Sequence, residues 1–208
     1  MGTTAERVTA VTALLVLLGT AGCAQSQPLP EMAGGVELGL RRGAAWSTVK
    51  VRPPYVIGPR ANLHFTKEHW SGTIDTRPVN LTVQPDGIHG NGPYGPVSID
   101  FQEEGDRLVV EGTWNGSHTH FDLGATAIKG SLSVFTGRSV SSSFYCQYVL
   151  DRTEADGARA GTSICGGLPE ETRLEIPGPV LALLRRHELV LVLLTLFATP
   201  EFTSLERQ

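Results

Sequence analysis

The feature that most constrains the fold of this chain is the alternation of apolar and polar residues between residues 49 and 150. Val79, Leu81 and Val83, for example, lie on one face of an extended segment, while Asn80 and Thr82 lie on the other. Turn-forming residues interrupt the alternation at intervals of about 8 to 12 residues, and no helical periodicity is present. The segment therefore predicts an antiparallel, mainly β domain.

Three of the interruptions have the residues of tight turns. Pro85-Asp86-Gly87 combines a proline, which fixes φ, with a glycine, which accepts a positive φ. Glu103-Glu104-Gly105-Asp106 is a polar turn, and Asn115-Gly116 between two apolar runs is the strongest short signal for a hairpin. We therefore expect neighbouring strands to pair as hairpins.

An internal repeat is visible within this region. Ser71-Gly72-Thr73-Ile74 matches Glu111-Gly112-Thr113-Trp114 at an offset of 40 residues. The offset persists in the following pairs: Leu81 and Phe121, Val83 and Leu123, Ile88 and Ile128, and Gly90 and Gly130. Glycines at equal places inside strands indicate bends or bulges. They favour a curled sheet, either a barrel or a two-sheet sandwich, over a flat open sheet.

Composition excludes one large class of partner. Charged residues make up 18% of the chain and the formal net charge is -4, so no basic surface is available to hold a nucleic acid. The chain has 24 glycines and 13 prolines among 208 residues, which is more than globular domains usually contain. This excess agrees with frequent turns.

The amino terminus has the layout of a secretory signal peptide. Arg7 precedes an apolar run from Val8 to Leu18, and small residues follow it. The run is too short for a comfortable membrane-spanning helix, which needs about 20 apolar residues. We predict a signal peptide over residues 1–22.

The residues at the end of that segment, Thr20-Ala21-Gly22-Cys23, resemble the lipobox of bacterial lipoproteins. The resemblance implies that Cys23 is acylated and becomes the mature N-terminus, and Ala24 in the next position implies the outer membrane. Residues 23–36 would then be the lipidated N-terminus and a tether. The alternative is an ordinary cleaved signal that leaves Cys23 as a free thiol.

The other two cysteines of the chain are Cys146 and Cys165. If Cys23 carries a lipid, they remain as an even pair in a compartment where disulfides persist. A bond between them would close a segment of about 18 residues, worth about 3 kcal/mol in the loop-entropy model. We therefore predict a Cys146–Cys165 disulfide in an oxidising compartment.

The carboxy-terminal region changes character after the β-domain, which we place at residues 37–176. Pro177-Gly178-Pro179 breaks the strand pattern, and the Leu- and Val-rich segment from Val180 to Ala198 predicts a helix within residues 177–208. Charged residues between Arg185 and Glu188 argue against a membrane span. We expect the helix to pack on the open end or one face of the β-domain; a buried strand is the alternative.

The strongest chemical motif is His118-Thr119-His120-Phe121-Asp122, in which alternation places His118, His120 and Asp122 on one face of a strand. Imidazole and carboxylate groups are zinc ligands. The motif also resembles the beginning of the metallo-β-lactamase metal motif, but Leu123 stands where a further histidine belongs. We predict no metal site, and these three residues are the candidates should one exist.

No other motif identifies a reaction. Two histidines, His64 and His69, could line a pocket together with Trp70, but surface positions explain them more simply. The sequence has no serine-hydrolase elbow and no cofactor motif. We expect no catalytic residue and no cofactor.

The sequence thus predicts a lipid-anchored cell-envelope protein whose non-catalytic β-domain has a binding or structural role. The membrane, an envelope protein or a small apolar ligand are the expected partners. The alternatives are a lipocalin-like carrier of an apolar ligand or lipid, and a metal-dependent hydrolase that uses the His-x-His-x-Asp strand.

Overall fold

The computed structural model describes residues 35–135 and 143–198. The predicted signal peptide, Cys23 and most of the tether lie outside the described residues. The strands are β1 (Val36–Arg42), β2 (Ala45–Arg52), β3 (Tyr55–Gly58), β4 (Ala61–Phe65), β5 (His69–Ile74), β6 (Arg77–Gln84), β7 (Gly87–Asn91), β8 (Pro96–Glu104), β9 (Arg107–Trp114), β10 (Ser117–Leu123), β11 (Ile128–Phe135), β12 (Ser143–Thr153), β13 (Arg159–Cys165) and β14 (Glu170–Glu175). Two helices follow, α1 (Gly178–Leu183) and α2 (Arg186–Ala198).

The strands form one closed antiparallel barrel in which each strand pairs with its neighbours in the chain, and β1 pairs with β14 to close the ring. The predicted mainly β, curled antiparallel sheet is confirmed, and of the two predicted forms the structure has the barrel. Hairpin turns alternate between its two ends. We call the end where β1 begins and β14 ends the base, and the opposite end the rim.

The predicted alternation decides which side chains enter the barrel. On β6, Val79, Leu81 and Val83 are buried inside, whereas Asn80 and Thr82 are exposed on the outer face. The same alternation recurs around the wall, so the inner face is largely apolar. The hydrophobic effect therefore closes the barrel around a single core.

Two glycines show how the wall curves. Gly72 and Gly112 both have positive φ, at 142° and 146°, and a Cβ on either would lie 2.1 Å from a carbonyl oxygen of the neighbouring strand. Only glycine tolerates this close approach and this backbone conformation. Their equal conformation agrees with the predicted bends, while the 40-residue repeat itself stays a prediction.

A disulfide joins Cys146 of β12 to Cys165 of β13, as predicted. The two residues are directly opposite in the antiparallel register, and their Cα atoms are 4.1 Å apart. The bond therefore ties together two neighbouring strands in the half of the wall nearer the rim.

The carboxy-terminal segment is helical, as predicted, but the helix is divided in two. Leu184 has an extended conformation and ends α1. The backbone N–H of Arg185 then donates to the Glu188 carboxylate at 2.8 Å, and this bond caps the beginning of α2. The charged residues that argued against a membrane span are therefore the start signal of a second helix.

Helix α2 lies inside the barrel rather than on its end or on one face. It contacts the neighbouring strands β1 and β2, and also β6 and β11, so its contacts lie at three places spaced at about one-third intervals around the ring. From Val190 to Ala198 every residue is buried. Near its end, Phe197 stacks on Phe121 of β10 with ring centroids 5.2 Å apart, and the Tyr148 hydroxyl of β12 donates to the Phe197 carbonyl at 3.2 Å.

Barrel width explains this location. About eight strands give an interior that side chains fill, whereas 16 to 18 strands leave a channel. A barrel of 14 strands lies between these cases, so we expect its own side chains to leave a central space. A helix is about 10–12 Å wide with its side chains, and α2 fills that space. Neither α1 nor α2, the helices of the described residues, has the length and hydropathy of a membrane-spanning helix.

Candidate functional site

The predicted metal candidates lie on the outer face of the barrel. His118, His120 and Asp122 share one face of β10, as predicted, but His120 and Asp122 contact different neighbours and His118 is exposed. His120 Nδ1 lies 4.0 Å from a Glu111 oxygen, and Asp122 lies 3.5 Å from an Arg107 nitrogen. In the described part of the chain, no three histidine, cysteine or acidic side chains converge in a way that could hold a metal ion.

The second histidine group is split between the two faces of the wall. Trp70 is buried inside the barrel, where it stacks on Phe65 with centroids 4.5 Å apart. His64 and His69 are exposed, and His64 packs beside Tyr55 on the outer surface. The three residues therefore do not line a common pocket.

An apolar pocket of about 410 Å³ opens at the base, beside the first turns of α2. Its volume falls within the range of about 300–1,000 Å³ that is typical of small-molecule sites. The apolar lining comes from the wall, α2 and the segment after β14: Leu108, Leu123, Ile128, Ile176, Leu189, Val190 and Leu193. Arg159, Arg186 and Asp106 supply charge at its edge.

Ion pairs hold the beginning of α2 against the base. The Arg185 guanidinium contacts the Glu188 carboxylate at 2.6 Å and also donates to the Lys67 carbonyl between β4 and β5. Arg186 contacts Glu103, at the end of β8, at 3.0 Å. The bonds to Lys67 and Glu103 tie the start of α2 to two separate places on the base, and they position the helix that forms one side of the pocket.

His187 lies among these charges. Burial lowers the pKa of its imidazole below the ordinary value, and the positive charge of Arg185 lowers it further, against a smaller opposing effect of Glu188. The neutral imidazole is therefore favoured in the folded protein.

A second, polar cleft of about 640 Å³ opens at the rim. The hairpins β3–β4, β5–β6 and β7–β8 contribute its charged and aromatic side chains, which are Arg60, Asp75, Arg77 and Tyr94. This cleft and the base pocket lie at opposite ends of the barrel because consecutive hairpin turns alternate between the ends.

Sequence reasoning found neither cavity. Leu108, Leu123 and Ile128 belong to the strands of the wall, but the pocket exists only because α2 enters beside them. For the rim cleft, a signal was available in the offset of 40 residues, which aligns Asp75-Thr76 with the hairpin turn Asn115-Gly116. Such a turn favours Asn-Gly, so a pair of polar residues without glycine indicates that the side chains have a role other than forming the turn.

Comparison with protein-family models, with curated proteins and with solved structures finds no match to this chain.

Proposed function

We propose that this chain is a lipid-anchored protein of the bacterial cell envelope whose non-catalytic barrel has a binding or structural role. The observation that carries the proposal is the disulfide, which uses Cys146 and Cys165 and leaves Cys23 as the remaining one of three cysteines. Cys23 follows the small residues of the lipobox-like segment, so it is placed for acylation. The disulfide also suits an oxidising compartment.

Anchoring at Cys23 would attach the barrel at one end. Strand β1 begins with Val36 at the base, so the tether would join the barrel at the base. Each acyl methylene buried in the bilayer contributes about 0.8 kcal/mol, and two or more chains give stable anchoring. Ala24 after the cysteine supports the outer membrane as the location.

Mass spectrometry of the protein from the membrane fraction of its own host tests the anchor. We expect a mature N-terminal peptide that begins at Cys23 and carries the mass of acyl chains, with Cys146 and Cys165 oxidised. Cys23→Ser should release the barrel from the membrane, whereas Cys146→Ser with Cys165→Ser should leave it anchored. An unmodified Cys23 in membrane-bound wild-type protein would overturn the proposal.

A second candidate function, carriage of a small apolar ligand or lipid, is favoured by the base pocket. The barrel lumen is filled by α2, so a ligand would lie beside the helix rather than along the barrel axis as in a lipocalin-like carrier. The lining of leucine and isoleucine side chains would bury an alkyl chain, and the edge residues Arg159 and Arg186 would lie near a polar head group.

Displacement of a fluorescent fatty acid tests carriage. Leu189→Trp places a larger side chain at the pocket wall, and we expect it to weaken binding by about tenfold or more. Val149→Trp, on the exposed outer face of β12, is the matched control and should change binding less than twofold. Equal affinity of the two variants, or no binding to the wild type, would exclude this function.

A further inference from the structure

The rim cleft is built around the Asp75 carboxylate. Arg60 Nε donates to one carboxylate oxygen, and the Tyr94 hydroxyl donates to the other at 3.1 Å. The backbone N–H of Asp75 also donates to the Arg60 carbonyl at 2.8 Å, which ties the turn between β5 and β6 to the turn between β3 and β4. Arg60 and Tyr94 are thus held in place by a single acidic residue.

Tyr94 is held on both faces of its ring. Arg77 lies over the ring with its guanidinium carbon 4.6 Å from the centroid, and Phe135 stacks on the ring at 4.7 Å. The backbone N–H of Tyr94 donates to the side chain of the buried Asn115 at 3.2 Å. Burial raises the pKa of Tyr94, and the Asp75 carboxylate raises it further, so the hydroxyl stays protonated and continues to donate.

The turn that carries Asp75 has an unfavourable backbone conformation. Asp75 and Thr76 have positive φ values of 52° and 64°. A β-branched residue rarely adopts such a conformation, because its side chain crowds the backbone. In the corresponding turn between β9 and β10, Asn115 and Gly116 have φ values of 56° and 76°, with the residues that this geometry favours. The rim turn thus contains Asp75 and Thr76, although Asn-Gly would be less strained in the same conformation, and both residues line the cleft.

We propose that the rim cleft is a binding site for a small anion that carries a carboxylate or phosphate group. Two guanidinium groups and one carboxylate give the cleft a net positive charge in a chain whose formal net charge is -4. Guanidinium groups match the geometry of carboxylate and phosphate oxygens. Because Asp75 and Tyr94 hold both arginines in place, less ordering is required when an anion binds.

The site is independent of the proposed anchor and of the base pocket. Thr73, Thr76 and Asn62 add hydroxyl and amide groups to the lining, so the cleft suits a polar rather than an apolar molecule. An anion bound here would sit at the end of the barrel opposite to the start of β1.

Titration of the full chain with inorganic phosphate, and separately with acetate, followed by amide chemical shifts at constant ionic strength, tests the proposal. We expect saturable shifts confined to the turns that carry Arg60, Asp75 and Tyr94. Saturation by phosphate alone would assign a phosphate-bearing ligand, and saturation by acetate alone a carboxylate-bearing one. Shifts spread over all basic surface residues, or no saturation with either ion, would overturn the site.

Variants of equal charge change give an independent measurement. Arg77→Gln and Arg60→Gln should each weaken binding of the saturating ion by about tenfold or more, because each removes a charged hydrogen-bond donor. Arg152→Gln removes the same charge from an exposed position of β12, outside both cavities, and should change affinity less than twofold. Thermal unfolding of each variant shows whether the fold is retained. Equal weakening by Arg152→Gln and Arg77→Gln would show a general charge effect and would overturn the proposal.

Discussion

The base and the rim of the barrel use their residues in different ways. At the base, charged residues at the start of α2 contact the wall, and the apolar rest of the helix fills the lumen. The adjoining cavity is lined mainly by leucine and isoleucine. At the rim, an ion pair and a tyrosine are organised around a strained turn, and the cavity is polar. The base therefore consists mainly of groups that stabilise the fold, whereas the rim keeps a conformation that costs stability. This difference predicts that truncating buried side chains at the base lowers the stability of the fold, whereas relieving strain in the rim turn raises it.

The largest effect on stability is expected from truncating a buried side chain of α2 near the base. Leu193 is buried in α2 and lines the base pocket, so Leu193→Ala should lower the free energy of unfolding by about 2–5 kcal/mol. Leu183→Ala, at an exposed position of α1, should change it by less than about 0.5 kcal/mol. Urea denaturation measures both. Equal losses would show that filling of the lumen by α2 contributes little to stability.

Removal of the disulfide is the largest change expected in the half of the wall near the rim. Cys146→Ala with Cys165→Ala should lower the free energy of unfolding by about 2–4 kcal/mol, since the unfolded chain gains conformational freedom. Reduction of the wild type by dithiothreitol should give a similar loss in thermal unfolding. If neither the double variant nor the reduced wild type loses stability, the disulfide does not stabilise the wall near the rim.

An intermediate effect is expected at the start of α2. Glu188→Ala removes the acceptor for the Arg185 backbone N–H and guanidinium, and should cost about 1–2 kcal/mol in denaturant unfolding. Glu188→Gln keeps an oxygen acceptor and should cost less. If the two variants are equally stable, the capping bond does not contribute, and the ion pair alone accounts for the loss.

The two hairpin turns offer a reciprocal exchange. Glycine tolerates the positive φ of residue 76, so Thr76→Gly should raise the free energy of unfolding by up to about 1 kcal/mol. Gly116→Thr places a β-branched residue at a positive φ and should lower it by about 1–2 kcal/mol. Differential scanning calorimetry of both variants measures the exchange. A loss of stability in Thr76→Gly would show that the rim turn is not strained.

The smallest effect is expected from pH. The pKa of His187 is lower in the folded chain than its ordinary value of 6.5, so its contribution to stability is present above that pH. The contribution is lost as the pH falls through the folded pKa, where the imidazole becomes charged in both states. Thermal unfolding between pH 7.5 and about 5 should show this loss, and His187→Gln should reduce it.

The sequence predicts the wall more completely than the cavities. Alternation in β6 and β10, the Asn115-Gly116 turn and the cysteine pair are local or countable features, and each has its predicted place in the structure. The division of the terminal helix at Leu184 was missed because the polar residues from Arg185 to Glu188 would also fit the surface of one continuous helix. The rim cleft was missed because its four central side chains come from three separate hairpins.

The sequence by itself determined the antiparallel β class, the placement of many turns and a helix at the carboxy terminus. A period of two residues separates the faces of each strand, and turn residues restrict the backbone locally. Only the tertiary structure decided that 14 strands close into one ring and that α2 fills it. Closure joins β1 to β14 across nearly the whole described chain, and the helix is buried on every side only because the ring surrounds it. Both depend on contacts between residues far apart in sequence, which no local pattern specifies.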